Sequence, residues 1–250
     1  MVDIYTTEKQ QFIVPGDAEK TIQYICESFV SYAKSAVEKQ GKLTIALSGG
    51  STPKALFQAI TKEPYAAEIP WEKLWIFWSD ERAKPLTDPE SNYHTAMALG
   101  NLQNMPIPKT QIFPMKVETL PEEHAKNYQL CIEKHLGDPL FDLVMLGVGE
   151  DGHTASLFPG ESAVDEKHRL VVSYFVKAKN MWRMTLTLPC INRSQKAVFI
   201  ALGKYKAPIV HTILEEKMCH LPAAKVGSST KKALWIVDNE AAMLLSKDGK

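Results

Sequence analysis

A chain of 250 residues with 45% apolar and 23% charged side chains can bury a core of its own, which excludes disordered and collagen-like classes. Its 29 basic and 29 acidic residues cancel and form no basic stripe, so no nucleic-acid partner is expected and any anion must be held by a local site. No apolar stretch approaches the roughly 20 residues that cross a bilayer, and the start lacks the features of a secretory signal, so a cytoplasmic protein without a membrane partner is expected.

The spacing of Ala18, Ile22, Ile25, Phe29, Ala33 and Val37 predicts a helix from Asp17 to Gln40, capped by Asp17 and stopped at Gly41. A buried-type strand, Leu43 to Leu47, ends in Ser48-Gly49-Gly50-Ser51-Thr52-Pro53, and a helix from Lys54 to Thr61 follows. A second strand, Leu74 to Trp78, runs into Ser79-Asp80-Glu81-Arg82, followed by a helix from about Asn92 to Leu102. Pro121 to Leu136 reads as helix, with Pro in the first turn and Gly137 after the end. A third strand, Phe141 to Leu146, enters Gly147-Val148-Gly149-Glu150-Asp151-Gly152-His153. Later apolar runs are Leu170–Val176, Met184–Leu188, Ala197–Leu202 and Leu234–Val237, with a helix from Tyr205 to Glu215 between the last two.

Strands alternating with helices imply an α/β protein with a mainly parallel, Rossmann-like sheet covered by helices on both faces. No repeat or linker interrupts the pattern, so residues 1–250 are expected to form a single domain. The four cysteines, Cys26, Cys131, Cys190 and Cys219, are far apart and read as reduced, partly buried thiols.

In such sheets ligands sit beyond the carboxyl ends of the strands. The loops at Ser48, Ser79 and Gly147 are therefore expected to converge. Gly49 and Gly50 allow backbone amides to approach an anion, the following helix start favours negative charge, and Ser48, Ser51 and Thr52 add hydroxyls; the alternative is a plain turn with a hydroxyl cap. Arg82 can grip a phosphate bidentately, with Asp80 orienting it, a histidine or a substrate hydroxyl; the alternative is a solvated charge cluster. Gly147 to Gly152 matches the dinucleotide pattern, but Pro159-Gly160 cuts short the helix that pattern requires, so no dinucleotide is expected.

His153 follows a Gly-rich strand end beside Asp151, where a general base would be placed. The other six histidines lie on helical or loop segments without metal-ligand spacing, so no metal is expected. Lys177, Lys179 and Arg183 form a basic cluster that can complete an anion pocket, whereas Lys204 and Lys206 read as surface lysines.

Leu47 to Pro53, Trp78 to Arg82, Ser91-Asn92-Tyr93, Leu146 to Pro159, Arg183 to Pro189 and Leu221 to Ala224 together resemble the 6-phosphogluconolactonase family. Asp151-Gly152-His153-Thr154-Ala155-Ser156-Leu157-Phe158-Pro159 is the most specific of these. The resemblance implies a fold similar to ribose-5-phosphate isomerase and glucosamine-6-phosphate isomerase. It implies hydrolysis of 6-phosphoglucono-lactone in the pentose phosphate pathway, without cofactor or metal. The catalytic residues it implies are His153, Asp151 and Asp80. Substrate and phosphate would be held by Ser48, Gly49, Gly50, Ser51, Thr52, Arg82, Lys179 and Arg183, with backbone amides of the Gly147 loop as oxyanion donors. The family's Lys-Pro-Pro-rich stretch is replaced here by Lys177 to Trp182, which leaves open whether Lys177 or Lys179 faces substrate. A monomer or weak homo-oligomer is expected. Two alternatives share the fold: an amino-sugar phosphate isomerase or deaminase, which needs a carboxylate that Ser156 to Pro159 lacks, and a non-catalytic sugar-phosphate sensor, which needs an added DNA-binding segment.

Overall fold

The computed structural model describes residues 2–117, 121–216, 218 and 220–246. It begins with two strands that the apolar runs did not reveal, β1 (Asp3–Thr6) and β2 (Gln10–Val14), paired antiparallel. Helix α1 (Ala18–Gln40) follows the expected bounds: Asp17 accepts from the Lys20 N–H at 2.9 Å, and Gly41 closes the end at φ 78°. That left-handed conformation is one that glycine adopts without strain. Next come β3 (Leu43–Leu47), α2 (Ser51–Ile60), α3 (Tyr65–Glu68), β4 (Leu74–Trp78) and, after the single residue Ser79, β5 (Asp80–Arg82). The helix expected from about Asn92 to Leu102 runs without interruption but ends early, at Leu99. It consists of α4 (Asn92–His94) and a wide π-type turn, Thr95–Leu99, ending at Gly100. A Cβ on Gly100 would lie 2.6 Å from the Phe57 Cβ, so the chain turns where α2 comes close.

The second half contains α5 (Pro121–His135), β6 (Leu143–Leu146), β7 (Val171–Val176), β8 (Met181–Leu186), α6 (Leu188–Asn192), β9 (Ala197–Ala201), α7 (Ala207–Leu214) and β10 (Ala233–Val237). Seven strands form one sheet in the order β1-β2-β10-β9-β6-β3-β4, parallel except at the β1 edge. Its parallel strands are almost continuously apolar, as a sheet buried on both faces requires. At one rung Trp235 lies opposite both Phe12 and Phe199, and its ring stacks on theirs at 5.0 and 4.0 Å.

Two expected members of that sheet lie elsewhere. β7 and β8 form an antiparallel hairpin and join β5 in a separate three-stranded sheet, β5-β8-β7. Only Lys177 to Asn180 connects them, too few residues for a parallel crossover. Asn180 takes φ 47° to make the turn. The run read as strand to Leu188 stops at Leu186, because the Thr187 hydroxyl caps α6 and Pro189 occupies its first turn. The two sheets are stitched at Ser79, whose N–H donates to the Leu47 carbonyl and whose carbonyl accepts from Leu186, both at 2.8 Å. Nearly all the buried apolar residues among those described form one connected core. Cys26 and Cys190 are buried and Cys131 is half-buried; Cys219 lies outside the described residues. Among the described residues no helix is long and apolar enough to cross a membrane.

Candidate active site

β6, β3 and β4 are consecutive parallel strands, so their carboxyl ends lie side by side. The loops at Gly147, Ser48 and Ser79 therefore open on one edge of the sheet, as the strand order requires. β9 is the next strand beyond β6, and its end brings Gly203 to Lys206 to the same edge.

In the first loop Ser48 is buried and Gly50 precedes α2 at φ 106° with no side-chain cap. The amides of Ser51 and Thr52 head this ten-residue helix, while Pro53 has none to offer. A Cβ on Gly49 would fall 1.7 Å from the Asn92 Oδ1, so only glycine lets the loop lie against Asn92. Asn92 in turn donates its Nδ2 to the Asp80 carbonyl at 2.8 Å and to the Asp80 Oδ1 at 3.0 Å.

The second loop is not a solvated charge cluster. Glu81 is 1% exposed, and its carboxylate accepts from the backbone amides of Arg82, Asn92 and Tyr93 and from the Ser91 hydroxyl at 2.8–2.9 Å. Burial raises its pKa against the pull of those four donors. It thereby ties the start of α4 to β5. Asp80, 5% exposed, has its second oxygen taken by the Ser156 hydroxyl at 2.6 Å.

Register then defines a face. Asp80 and Arg82, two apart on β5, lie on one side of the small sheet; their partners on β8 are Thr185 and Arg183, and Arg183 lies opposite Tyr174 on β7. Arg82 and Arg183 are thus directly opposed. Like charges in that position repel. Their Nε groups are buried without a partner among the described residues, although the Arg82 guanidinium also donates to the Glu90 carbonyl. Burial lowers the Arg183 pKa and the Arg82 charge adds to it, while Asp80, Glu81 and Tyr174 oppose the shift. Two facing guanidiniums with free donors suit a multiply charged oxyanion.

The third loop carries His153. Its Nδ1 lies 2.5 Å from the Asp151 Oδ1, which also accepts from the His153 backbone N–H at 3.1 Å. An ionised carboxylate only accepts, so the proton is assigned to Nδ1, leaving the Nε2 lone pair free. Burial works to raise the Asp151 pKa, but the hydrogen bonds from the His153 amide and ring N–H outweigh it and hold the carboxyl below its ordinary range. The Phe158 ring stacks on the imidazole at 4.4 Å. The Lys179 Nζ lies 6.0 Å from the centre of the Phe158 ring, which brings Lys179 to this cluster. A Cβ on Gly149 would lie 2.0 Å from the His153 Nδ1, so the histidine folds back onto a glycine. Two of the loop's amides are already engaged: Gly149 N–H donates to the His153 carbonyl and Gly152 N–H to the Gly149 carbonyl. The remaining amides are the candidates for oxyanion contact. Ala155 holds φ 48°, a left-handed conformation that costs a residue with a Cβ and that recurs at functional sites.

Thus Asp151 meets His153 and Asp80 does not: Asn92 and Ser156 occupy the Asp80 oxygens. Lys206, read as a surface lysine, instead donates its Nζ to the Val148 carbonyl at 2.8 Å. The sequence reading also gave no roles to Asn92 and Ser156. Both stood in noted motifs, but a single Asn or Ser carries no local signal of a partner 12 or 76 residues away. Among the described residues no group of three or more His, Cys, Asp or Glu is placed to hold a metal ion.

Together the sheet and its loops define an α/β protein with a facing arginine pair on the same edge as a carboxylate-supported histidine. A family model described as glucosamine-6-phosphate isomerases/6-phosphogluconolactonase matches residues 16–235, and the chain belongs to that family. A 6-phosphogluconolactonase of Chlamydia muridarum is 37% identical over 238 residues, covering 95% of this chain and 91% of the relative. The solved structure of a 6-phosphogluconolactonase from Trypanosoma cruzi superposes with a TM-score of 0.83 at 30% identity, covering 97% and 99% of the two chains. The fold extends to a monomeric glucosamine-6-phosphate deaminase at 20% identity and a TM-score of 0.78, covering 93% and 99%.

Proposed function

We propose that this chain is an enzyme that hydrolyses 6-phospho-D-glucono-1,5-lactone to 6-phospho-D-gluconate in the oxidative pentose phosphate pathway, with His153 as general base. The observation that carries the reading is the His153–Asp151 pair at 2.5 Å, on the edge that also bears Arg82 and Arg183. Support comes from relatives of this name matching over nearly the whole chain. The proposal keeps the expectations of a cytoplasmic location, a monomer or weak homo-oligomer, and no cofactor, metal or nucleic-acid partner.

The substrate phosphate carries two negative charges. Arg82 and Arg183 bind it, helped by the amides and hydroxyls of Ser48 to Thr52 and by Lys179. Anchoring the phosphate fixes where the lactone carbonyl lies, so that attack proceeds without a search over orientations. The His153 Nε2 takes a proton from water as the water oxygen bonds to the carbonyl carbon. Asp151 holds the tautomer and stabilises the imidazolium that forms. The tetrahedral intermediate collapses by breaking the bond from carbon to ring oxygen, and the imidazolium returns its proton to that oxygen as it departs. Water has been added across one ester bond, and His153 is neutral again.

The test is turnover of freshly generated 6-phosphogluconolactone, followed with a coupled 6-phosphogluconate dehydrogenase, beside glucosamine 6-phosphate followed by ammonia release. A lactone rate well above spontaneous hydrolysis, with no ammonia, is expected. Ammonia release without lactone turnover would overturn the proposal in favour of the amino-sugar reaction.

A further inference from the structure

Ser156 makes three hydrogen bonds to the small sheet, one to each strand. Its hydroxyl donates to the Asp80 Oδ2 on β5 at 2.6 Å, its N–H to the Thr185 hydroxyl on β8 at 3.2 Å, and its carbonyl accepts from the Tyr174 hydroxyl on β7 at 2.6 Å. Asp80, Thr185 and Tyr174 all lie on the face that bears Arg82 and Arg183. Ser156 itself is 1% exposed. The segment from His153 to Phe158 is thus fastened to the arginine face at Ser156, three positions after the histidine, and again where the Phe158 backbone amide meets the Tyr174 hydroxyl. Between His153 and Ser156 lies Ala155 at φ 48°, a conformation the chain keeps only while its surroundings impose it.

Asp80 extends the tie. Its other oxygen holds Asn92, which lies against Gly49 of the first loop. Within the hydroxyl pair, Ser156 is the only donor to Oδ2 among the described residues. A neutral serine here neither binds phosphate nor moves a proton. It fixes the distance between the group that would hold the phosphate and the group that would activate water.

We infer that Ser156 is a positioning residue that sets His153 relative to the Arg82–Arg183 pair, acting through Asp80, Thr185 and Tyr174. The inference rests on the proposed lactonase reading. A displacement of about 1 Å between anchored substrate and base lowers the chemical step by roughly 100-fold while leaving the anchor itself intact. The signature is therefore a loss in kcat per folded molecule with little change in KM, and the melting measurement separates it from a smaller folded fraction, which would lower apparent kcat in the same way.

The experiment compares wild type, Ser156→Ala and Tyr174→Phe by steady-state kinetics on the lactone, by inhibition with 6-phosphogluconate, and by thermal melting. Tyr174→Phe removes one hydroxyl and keeps the ring, so it decides the matter if Ser156→Ala does not fold. The expected result is a kcat lower by roughly 10–100-fold for Ser156→Ala and several-fold for Tyr174→Phe, with KM and product inhibition within about threefold of wild type. Folded variants with kcat within twofold of wild type, or a loss confined to KM, would overturn the inference. Wild type without lactone turnover would instead overturn the proposed function.

Discussion

Replacing Gly149 by alanine tests whether the placement of the His153–Asp151 pair governs the reaction. The backbone at Gly149 does not need a positive φ, so alanine brings no conformational strain. Its Cβ would nevertheless lie 2.0 Å from the His153 Nδ1, 2.2 Å from its Cε1 and 2.5 Å from the Asp151 Oδ1. Ordinary contact begins at 3.4 Å, so the imidazole must move by about 1.4 Å. The His153 side chain is 28% exposed and can swing away, so the protein should fold. The hydrogen bond at 2.5 Å and the Phe158 stack would both be lost. A misplacement of that size is expected to lower kcat by about 100-fold or more. The assay is lactone turnover by Gly149→Ala beside Gly137→Ala, whose added Cβ meets nothing within 4 Å. Inhibition by 6-phosphogluconate should be unchanged in both, because the arginine face is untouched. A folded Gly149→Ala protein with kcat within threefold of wild type would refute the reasoning.

Arg183→Ala removes charge-assisted hydrogen bonds worth roughly 1.5–3 kcal/mol each, so KM and product inhibition should weaken by roughly 10–100-fold, with the larger effect on binding than on kcat. Asp151→Asn frees the other tautomer, since an amide can donate to Nδ1 and drive the proton to Nε2. A fall in kcat of about 100-fold or more, at nearly unchanged KM, should appear in steady-state kinetics. The Glu166 carboxylate is held down to about 2, chiefly by the His168 backbone amide together with that of Arg169 and the Arg169 side chain. A depressed carboxyl contributes stability above its unfolded value of about 4.5 and loses it as pH falls toward about 2. The melting-temperature gap between wild type and Glu166→Gln should accordingly be full at pH 6 and should shrink between those limits.

The three strand-end loops were legible in the sequence because each couples a continuous apolar run to glycines or charges, a pattern that does not depend on distant partners. The small sheet was not legible. β5 has three residues, too few for any periodicity, and β8 follows β7 through a turn that looks like a charged loop. β1 and β2 are short, with polar Asp3 and Thr6 at the ends of one and Gln10-Gln11 opening the other, so no apolar run longer than three residues announces them. His153 and Asp151 are two residues apart, and their contact could be read from spacing. The roles of Asp80 and Lys206 could not, because both depend on strand order. Asp80 sits beside the histidine loop only once β5 leaves the main sheet, and Lys206 reaches Val148 because β9 lies next to β6.

The most direct measurement is lactone turnover by wild type and His153→Ala side by side, with folding of both verified by circular dichroism. A general base of this kind contributes about 10²–10⁴-fold. Wild type well above the spontaneous rate, with the variant close to it and product inhibition retained, is the predicted result. Equal activity of the two proteins would contradict the assignment of His153 as the base.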